Sequence, residues 1–490
     1  MSERGGVPAG GIPPGGLFID GQWTPARSAA TFATLDPSTE ETVARVARGG
    51  PADVDDAVRA ARAAFAGPCR RMAPVDRALL LTRAARTLES RAEEFAILET
   101  RDTGKPLSLS RSEIRGCVRY FDYYAGAADK IQGETVPLGP DYLDYTVREP
   151  CGVTAHITPW NAPLSMVCRS LAPALAAGNT AVVKPAEQAP LTALALADVL
   201  REAGWPAGAY NVVTGFGGEA GAALSGHPGI DSLTFTGSVP TGRAVLRAAG
   251  ENITPVLLEL GGKSPQIVFD DADLDHAADE IAKGIFTNAG QYCDAGSRLL
   301  VHTAVHGPLL ERLAERTARL RVGPGMDDPD VGPLISAAQR DRVLGYIDAG
   351  RSAGAHVVAG AADFPKGYFV APTLLDGVRP DMLVAREEIF GPVLAVLTFG
   401  GDDEAAELAD ATDYGLAAGI HTRDVDRALR FARDVRAGYV MVNEYFTGGV
   451  ESPFGGSGHS GYGRERGLAA LDNYTRLRNV VVRIKGDERP

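Results

Sequence analysis

The sequence predicts an α/β chain in which parallel sheets are covered by helices, and three observations carry that expectation. From about Gly152 onward short β-rich runs alternate with helical stretches, the mark of βαβ units. Gly178-Asn179 and Gly204 stop two of those helices, as helix ends require. At 490 residues the chain exceeds what one hydrophobic core supports, so about two or three domains are expected.

Residues 1–16 are rich in Gly and Pro, with no apolar core and no cleavage pattern, and read as a disordered tail rather than a signal peptide. Stretches 53–65 and 76–99 show helical apolar spacing with acidic starts. The alternation then runs strand 153–157, helix 163–177, strand 180–183, helix 191–203, strand 210–213, helix 219–224 and strand 232–235. A second α/β stretch occupies about 259–454. Two β-type runs, 144–148 and 480–484, lie far from either centre. Strands with no local partner predict a projecting sheet, completed by another subunit.

A formal charge of -13 and pI near 5.2 argue against nucleic acid or an anionic membrane as partner. The five cysteines, 69, 117, 151, 168 and 293, are odd in number and form no CxxC pair. That fits a reducing cytoplasm and excludes a disulfide framework or zinc cluster. The eight histidines lack HExxH spacing, so no metal is expected. No apolar run is long enough to span a bilayer, and the expected location is the cytoplasm.

Cys293, flanked by Gly290, Gln291 and Gly296, stands where backbone approaches a substrate closely, and a thiolate is the strongest side-chain nucleophile near neutral pH. Its plainer reading is an inert buried thiol. Glu259 follows the apolar run Val256-Leu-Leu and precedes Gly261-Gly262. A carboxylate leaving a core strand is partly desolvated, which raises its pKa toward that of a useful base; the alternative is a strand-end acid paired with Lys263. Asn161, in Thr158-Pro-Trp-Asn161, offers an amide to a developing oxyanion or is a turn asparagine. Together they form the minimum kit for acyl chemistry.

Three turns are candidates for a dinucleotide. Gly215-Phe-Gly217-Gly-Glu-Ala220 matches GxGxxA but lacks a well-spaced acid for the ribose. Phe235-Thr-Gly237-Ser238 joins a strand to a helix with Ser238 placed to cap and Pro240 in the first turn. Lys184-Pro-Ala-Glu187 ends a strand, where open parallel sheets bind ligands. Its two charges hold ribose hydroxyls or form a solvated pair.

Taken together these segments resemble the NAD(P)-dependent aldehyde dehydrogenase superfamily over nearly the whole chain. The motifs in order are Thr158-Pro-Trp-Asn161, Lys184-Pro-Ala-Glu187, Phe235-Thr-Gly-Ser238, Glu259-Leu-Gly-Gly-Lys263, Gly290-Gln-Tyr-Cys293, Glu387-Glu-Ile-Phe-Gly-Pro392 and Pro453-Phe-Gly-Gly456. The resemblance implies a Rossmann-like NAD-binding domain (17–129 and 150–258), an α/β catalytic domain (259–476) and a small oligomerisation sheet (130–149 and 477–490) of a homodimer or homotetramer. It implies NAD contacts from Ile157, Thr158, Pro159, Trp160, Lys184, Glu187, Gly217, Phe235, Gly237, Ser238, Leu260, Glu388 and Phe390. The helix after Gly237-Ser238, rather than the GxGxxA turn, takes the pyrophosphate. Lys184 and Glu187 hold the adenosine ribose, Glu388 the nicotinamide ribose, and Phe390 packs beside it.

The mechanism implied starts with Cys293 attacking an aldehyde while Asn161 and the Cys293 N–H hold the oxyanion. The thiohemiacetal gives a hydride to the nicotinamide, and Glu259 activates water to hydrolyse the thioester to a carboxylic acid. The carboxylate of Glu259 favours water over coenzyme A as acyl acceptor, and no cysteine–histidine signature supports a hydrolase. Retention of cysteine, glutamate and asparagine together argues against a non-catalytic relative. Gly458 stands where the family often has a lysine, which is expected to alter surface contacts, not chemistry. Arg169 and Asp294 are the candidate substrate contacts. The former favours a semialdehyde or hydroxyaryl aldehyde or belongs to a structural ion pair; the latter repels an anion or pairs with Arg169.

Overall fold

The computed structural model describes residues 15–360 and 364–484; residues 1–14 of the expected tail and 485–490 of the expected oligomerisation segment lie outside them. Two large sheets organise the chain. The first has eight strands, and its parallel core runs Val256–Glu259, Ser232–Thr236, Val153–Thr158, Thr180–Pro185, Tyr210–Val212. Gly16–Ile19 pairs antiparallel with this core and Gln22–Pro25 with it in turn. Residue 16, expected in the tail, therefore opens a strand.

The core strands are buried along their length, which is why they read as continuous apolar runs rather than alternating ones. Helices Pro163–Ala177 and Leu191–Ala203 end at Gly178 and Gly204, both left-handed. Their bounds match those read from the sequence. The expected helix 76–99 is two, Pro74–Ser90 and Ala92–Thr103. The chain breaks at Arg91, whose guanidinium lies 5.5 Å from the Phe95 ring, and the second helix turns Phe95 and Leu98 into the core. The expected helix 219–224 is a π-turn, Gly217–Gly221, and one short turn, Ala222–Ser225; its glycines do not sustain a regular helix. Helix Leu107–Ala127 was not anticipated, although Ile114, Cys117, Val118, Phe121 and Tyr124 form an apolar stripe at helical spacing.

The second sheet has seven strands, ordered His356–Ala359, Thr373–Asp376, Val393–Phe399, Arg298–His302, Pro265–Val268, Ala417–His421, Tyr439–Val442, and only the first is antiparallel to its neighbour. After this sheet the chain returns to the first. Gly461–Tyr462 pairs with Leu258 and Glu259, so residues expected wholly within the catalytic domain close the open edge beside Glu259. The two isolated β-type runs are each other's partner. Tyr142–Pro150 pairs antiparallel with Thr475–Arg483 from Tyr142↔Arg483 to Thr475↔Pro150, a partnership far apart in sequence and so invisible to local reading. Thr135–Val136 adds a third strand.

Candidate active site

The parallel strands of the first sheet end at Thr158, Pro185, Val212, Thr236 and Glu259, and the motifs singled out in the sequence follow those ends. Two cavities meet there. One of about 530 Å³ is lined by Pro159, Trp160, Gly237, Ser238, Glu259 and Glu388 among others. The other, about 550 Å³, is lined by Ala162, Ser165, Tyr120, Arg169, Asp294 and Phe454 among others. Cys293 and Met166 lie on both walls. A third cavity, about 400 Å³, lined by His276, His421 and Asn443, shares no lining residue with either.

The loop that carries Cys293 is held in an uncommon backbone. Asn288, Ala289 and Gly290 have successive φ values of 51°, 54° and 71°, a run that non-glycine residues keep only when their surroundings fix it. The fixing contacts are present: Asn288 Nδ2 donates to the Asn161 carbonyl at 3.0 Å, and Asn161 Nδ2 donates to the Gln291 carbonyl at 2.8 Å. The Gln291 side chain donates to Asn288 O at 2.9 Å and accepts from Ile335 N at 2.9 Å. Gly262 makes the approach of strand to loop possible, since a Cβ there would lie 2.5 Å from the Cys293 carbonyl. Tyr292 donates its hydroxyl to Glu113, which with Glu99 brackets the buried Lys105 ammonium.

Burial governs the proton positions. The Cys293 thiol is pushed well above the ordinary cysteine value, first by desolvation and then by Asp294. Glu259 is raised well above the ordinary carboxyl value, again by desolvation, with Arg169 pulling the other way. Neither Glu259 oxygen has a hydrogen-bond partner. Lys263, the alternative partner considered from the sequence, is not within ion-pair reach; its own ammonium is unpartnered and lowered to about 7 by burial. Burial thus favours the protonated thiol, and a base beside Cys293 is needed to take its proton.

The larger-sheet cavity fits an anionic dinucleotide. Ser238 precedes helix Val239–Gly250, which has Pro240 in its first turn and no acid there, so its N-terminal amides face the cavity without a competing anion. Trp160 and Phe390 meet edge-on at 5.3 Å. Glu388, raised to about 7 by burial, accepts from Gly262 N at 3.1 Å. Lys184 Nζ lies 3.2 Å from Glu187 Oε2, and the Lys184 stem passes the Gly217–Gly221 turn, about 3.8 Å from where a Gly221 Cβ would be. Of the other expected cofactor residues, Leu260 lines the cavity. Ile157 and Phe235 are buried neighbours in paired strands; they, Thr158 and the Lys184, Glu187 and Gly217 cluster do not line it. Gly458 opens the turn Gly458–Ser460, and His459 Nε2 lies 3.1 Å from Arg243.

On the other side Arg169 lines the cavity and also takes the structural ion pair that the sequence left open. It is buried, its Nε donates to Glu465, and its guanidinium stacks 4.8 Å from the Phe454 ring. Its ion-pair partners are Glu465 and, at 3.9 Å, Glu259, not Asp294. Asp294 is raised by burial, and Arg466 is the largest opposing influence. Glu465 and Arg466 escaped sequence reading because the fold-back that brings them here has no local signature.

The family model for the aldehyde dehydrogenase family matches residues 23–480. The chain belongs to the aldehyde dehydrogenase family. Aldehyde dehydrogenase 1 of Tanacetum cinerariifolium is 46% identical over 96% of this chain and 95% of its own. The aldehyde dehydrogenase of Emericella nidulans is 44% identical over the same shares. The NAD+ complex of the Bacillus cereus aldehyde dehydrogenase superposes with a TM-score of 0.95 at 44% identity, covering 96% of this chain and 97% of that one. The expected fold, a Rossmann-like unit joined to an α/β catalytic unit, is that of the family. This family member is an NAD-dependent aldehyde dehydrogenase, oxidising aldehydes through a cysteine.

Proposed function

We propose that Cys293 is the nucleophile, Asn161 the oxyanion donor and Glu259 the base of this oxidation. The observation that carries the reading is that Cys293, the one nucleophilic side chain on both walls, joins the cavity at the Val239–Gly250 helix to the aromatic one, beside Asn161 and Glu259. Glu259 takes the thiol proton as sulfur bonds to the carbonyl carbon, and the C=O π pair moves onto oxygen. Asn161 Nδ2 and the Cys293 N–H hold that oxyanion. NAD bound in the first cavity supplies the hydride acceptor. Once the carbon has lost its hydride, the oxygen pair re-forms C=O as a thioester. Glu259, having passed the thiol proton to solvent, then accepts a proton from water as hydroxide adds to the thioester carbon; collapse breaks the C–S bond, releasing a carboxylic acid, and the leaving Cys293 sulfur takes the proton back from Glu259.

Lys184 and Glu187 hold the adenosine ribose, Ser238 and its helix the pyrophosphate, and Glu388 with Phe390 the nicotinamide end. An aromatic aldehyde is the substrate class the second cavity suits best. Tyr120, Tyr292, Phe446 and Phe454 line it, and flat rings stack on such walls, while Glu465 already offsets the Arg169 charge. A homo-oligomer is supported by the outer edge of Thr475–Arg483, unpaired among the described residues, and by exposed Leu477, Val481 and Val482. A cytoplasmic location is supported by five free cysteines; no described helix is long and apolar enough to cross a membrane. Measuring NADH formation against aromatic, aliphatic and carboxylate-bearing aldehydes tests the reading. The highest kcat/KM is expected with an aromatic aldehyde, and no NADH from any would contradict it.

A further inference from the structure

Three charged side chains, Arg169, Glu259 and Glu465, lie together behind the reacting centre, each almost wholly buried, with side-chain exposures of 1%, 1% and 3%. Arg169 is clamped from two directions. Its Nε donates to Glu465, and Phe454 lies against its flat face at 4.8 Å. Of the two terminal nitrogens, Nη2 has no hydrogen-bond partner and stands 3.9 Å from Glu259 Oε2, which also has none. An orphaned donor opposite an orphaned acceptor inside a protein is costly unless one state of the pair uses both. Ionised Glu259 is that state.

We propose that Arg169 is a positioning residue for Glu259: anchored by Glu465 and Phe454, it holds a positive charge opposite the base and thereby sets the pH at which the thioester is hydrolysed. The inference rests on the reading of Glu259 as that base, and it builds on the ion-pair alternative for Arg169 rather than on recognition of an anionic substrate. Its placement is rigid, because helix Pro163–Ala177 starts directly after Asn161. The same helix thus fixes the oxyanion donor's flank and the base's counter-charge.

Other charges face Glu259 as well. From the returning segment come Glu465, which raises its pKa, and Arg464 and Arg466, which lower it less than Arg169 does. Arg464 is occupied with the Gly456 and Gly463 carbonyls at 3.0 and 2.6 Å, and Arg466 lies over the Phe454 ring at 4.8 Å. From the nucleophile loop Cys293 and Asp294 add negative charge when ionised. On the far side of the pair, Tyr120 and Tyr474 act on Arg169 and Glu465. Arg169 is the one cation within 4.0 Å of the Glu259 carboxyl among the described residues.

The sign follows from this arrangement. Burial favours protonated Glu259 and Arg169 favours the carboxylate, so removing the guanidinium moves the rise of hydrolysis with pH upward. Removing the Glu465 charge frees Arg169 for Glu259 and moves that rise downward. Stopped-flow NADH formation separates the acylation burst from the hydrolysis-limited steady state, and both are read against pH for wild type, Arg169→Met, Arg169→Lys and Glu465→Gln with a neutral aldehyde. Arg169→Met is expected to keep the burst amplitude at high pH and to shift the rise with pH of both the burst rate and the steady state up by about one pH unit or more, the scale of a nearby opposite charge. Arg169→Lys is expected near wild type, and Glu465→Gln to shift the rise down. A general loss of packing does not produce shifts of opposite sign. If Arg169→Met does not fold, the downward shift in Glu465→Gln carries the test. Unshifted profiles, or shifts in one direction for both variants, overturn the inference while Glu259→Gln still abolishes hydrolysis. Normal hydrolysis in Glu259→Gln overturns the reading of the base, and the inference with it.

Discussion

The Asn161 side-chain amide donates to the Gln291 carbonyl at 2.8 Å, two residues before Cys293, and so ties the proposed oxyanion donor to the loop of the proposed nucleophile. One amide hydrogen is used in that bond; the other is free for a reacting oxygen. Asn161→Ala removes both functions. Its kcat is expected to fall about a hundredfold or more, the scale of losing one oxyanion donor, with NAD affinity unchanged. A kcat within a few-fold of wild type would show that the backbone N–H of Cys293 suffices.

Glu259→Gln separates the two half-reactions. The steady-state rate is expected to drop about a hundredfold or more, as for loss of a general base. Because burial also keeps the Cys293 thiol protonated, the NADH burst is expected to slow as well, less so at high pH where the thiol ionises unaided. A burst and steady state equal to wild type would assign both proton transfers elsewhere.

Glu187 is expected to make NAD preferred over NADP. In the proposed ribose site its carboxylate, 3.2 Å from Lys184 Nζ, would accept from ribose hydroxyls and repel a 2′-phosphate. Comparing kcat/KM for the two cofactors in wild type and Glu187→Gln checks this, with the preference narrowing in the variant. Equal values in wild type would remove Glu187 from the ribose site.

Local patterning made most of the cofactor-side sheet legible. Helix 163–177 is apolar between Pro163 and Gly178 except at Ser165, Arg169 and Ser170, and the strands beside it are buried on both faces. Cys293, Glu259 and Asn161 stood out because glycines and strand ends surround them. What escaped reading depends on chain closure. Arg169 read equally as a substrate contact or as half of an ion pair, and its partner Glu465, contributed by the segment that folds back onto Val256–Glu259, had no local signature. Strands Tyr142–Pro150 and Thr475–Arg483 looked unpartnered for the same reason. Helix Leu107–Ala127 had a readable stripe, but its mixture of arginines and serines with the apolar positions masks it.

Covalent turnover at Cys293 is the centre of the account, and one measurement addresses it: wild type and Cys293→Ala are each mixed with NAD and an aromatic aldehyde, and NADH and protein mass are followed together. Wild type is expected to release NADH and to carry, on quenching, the mass of one acyl group on the peptide containing Cys293. Cys293→Ala is expected to bind NAD with wild-type affinity, form no NADH and carry no adduct. NADH formation by Cys293→Ala, or an acyl group on any of the other four cysteines in wild type, would contradict it.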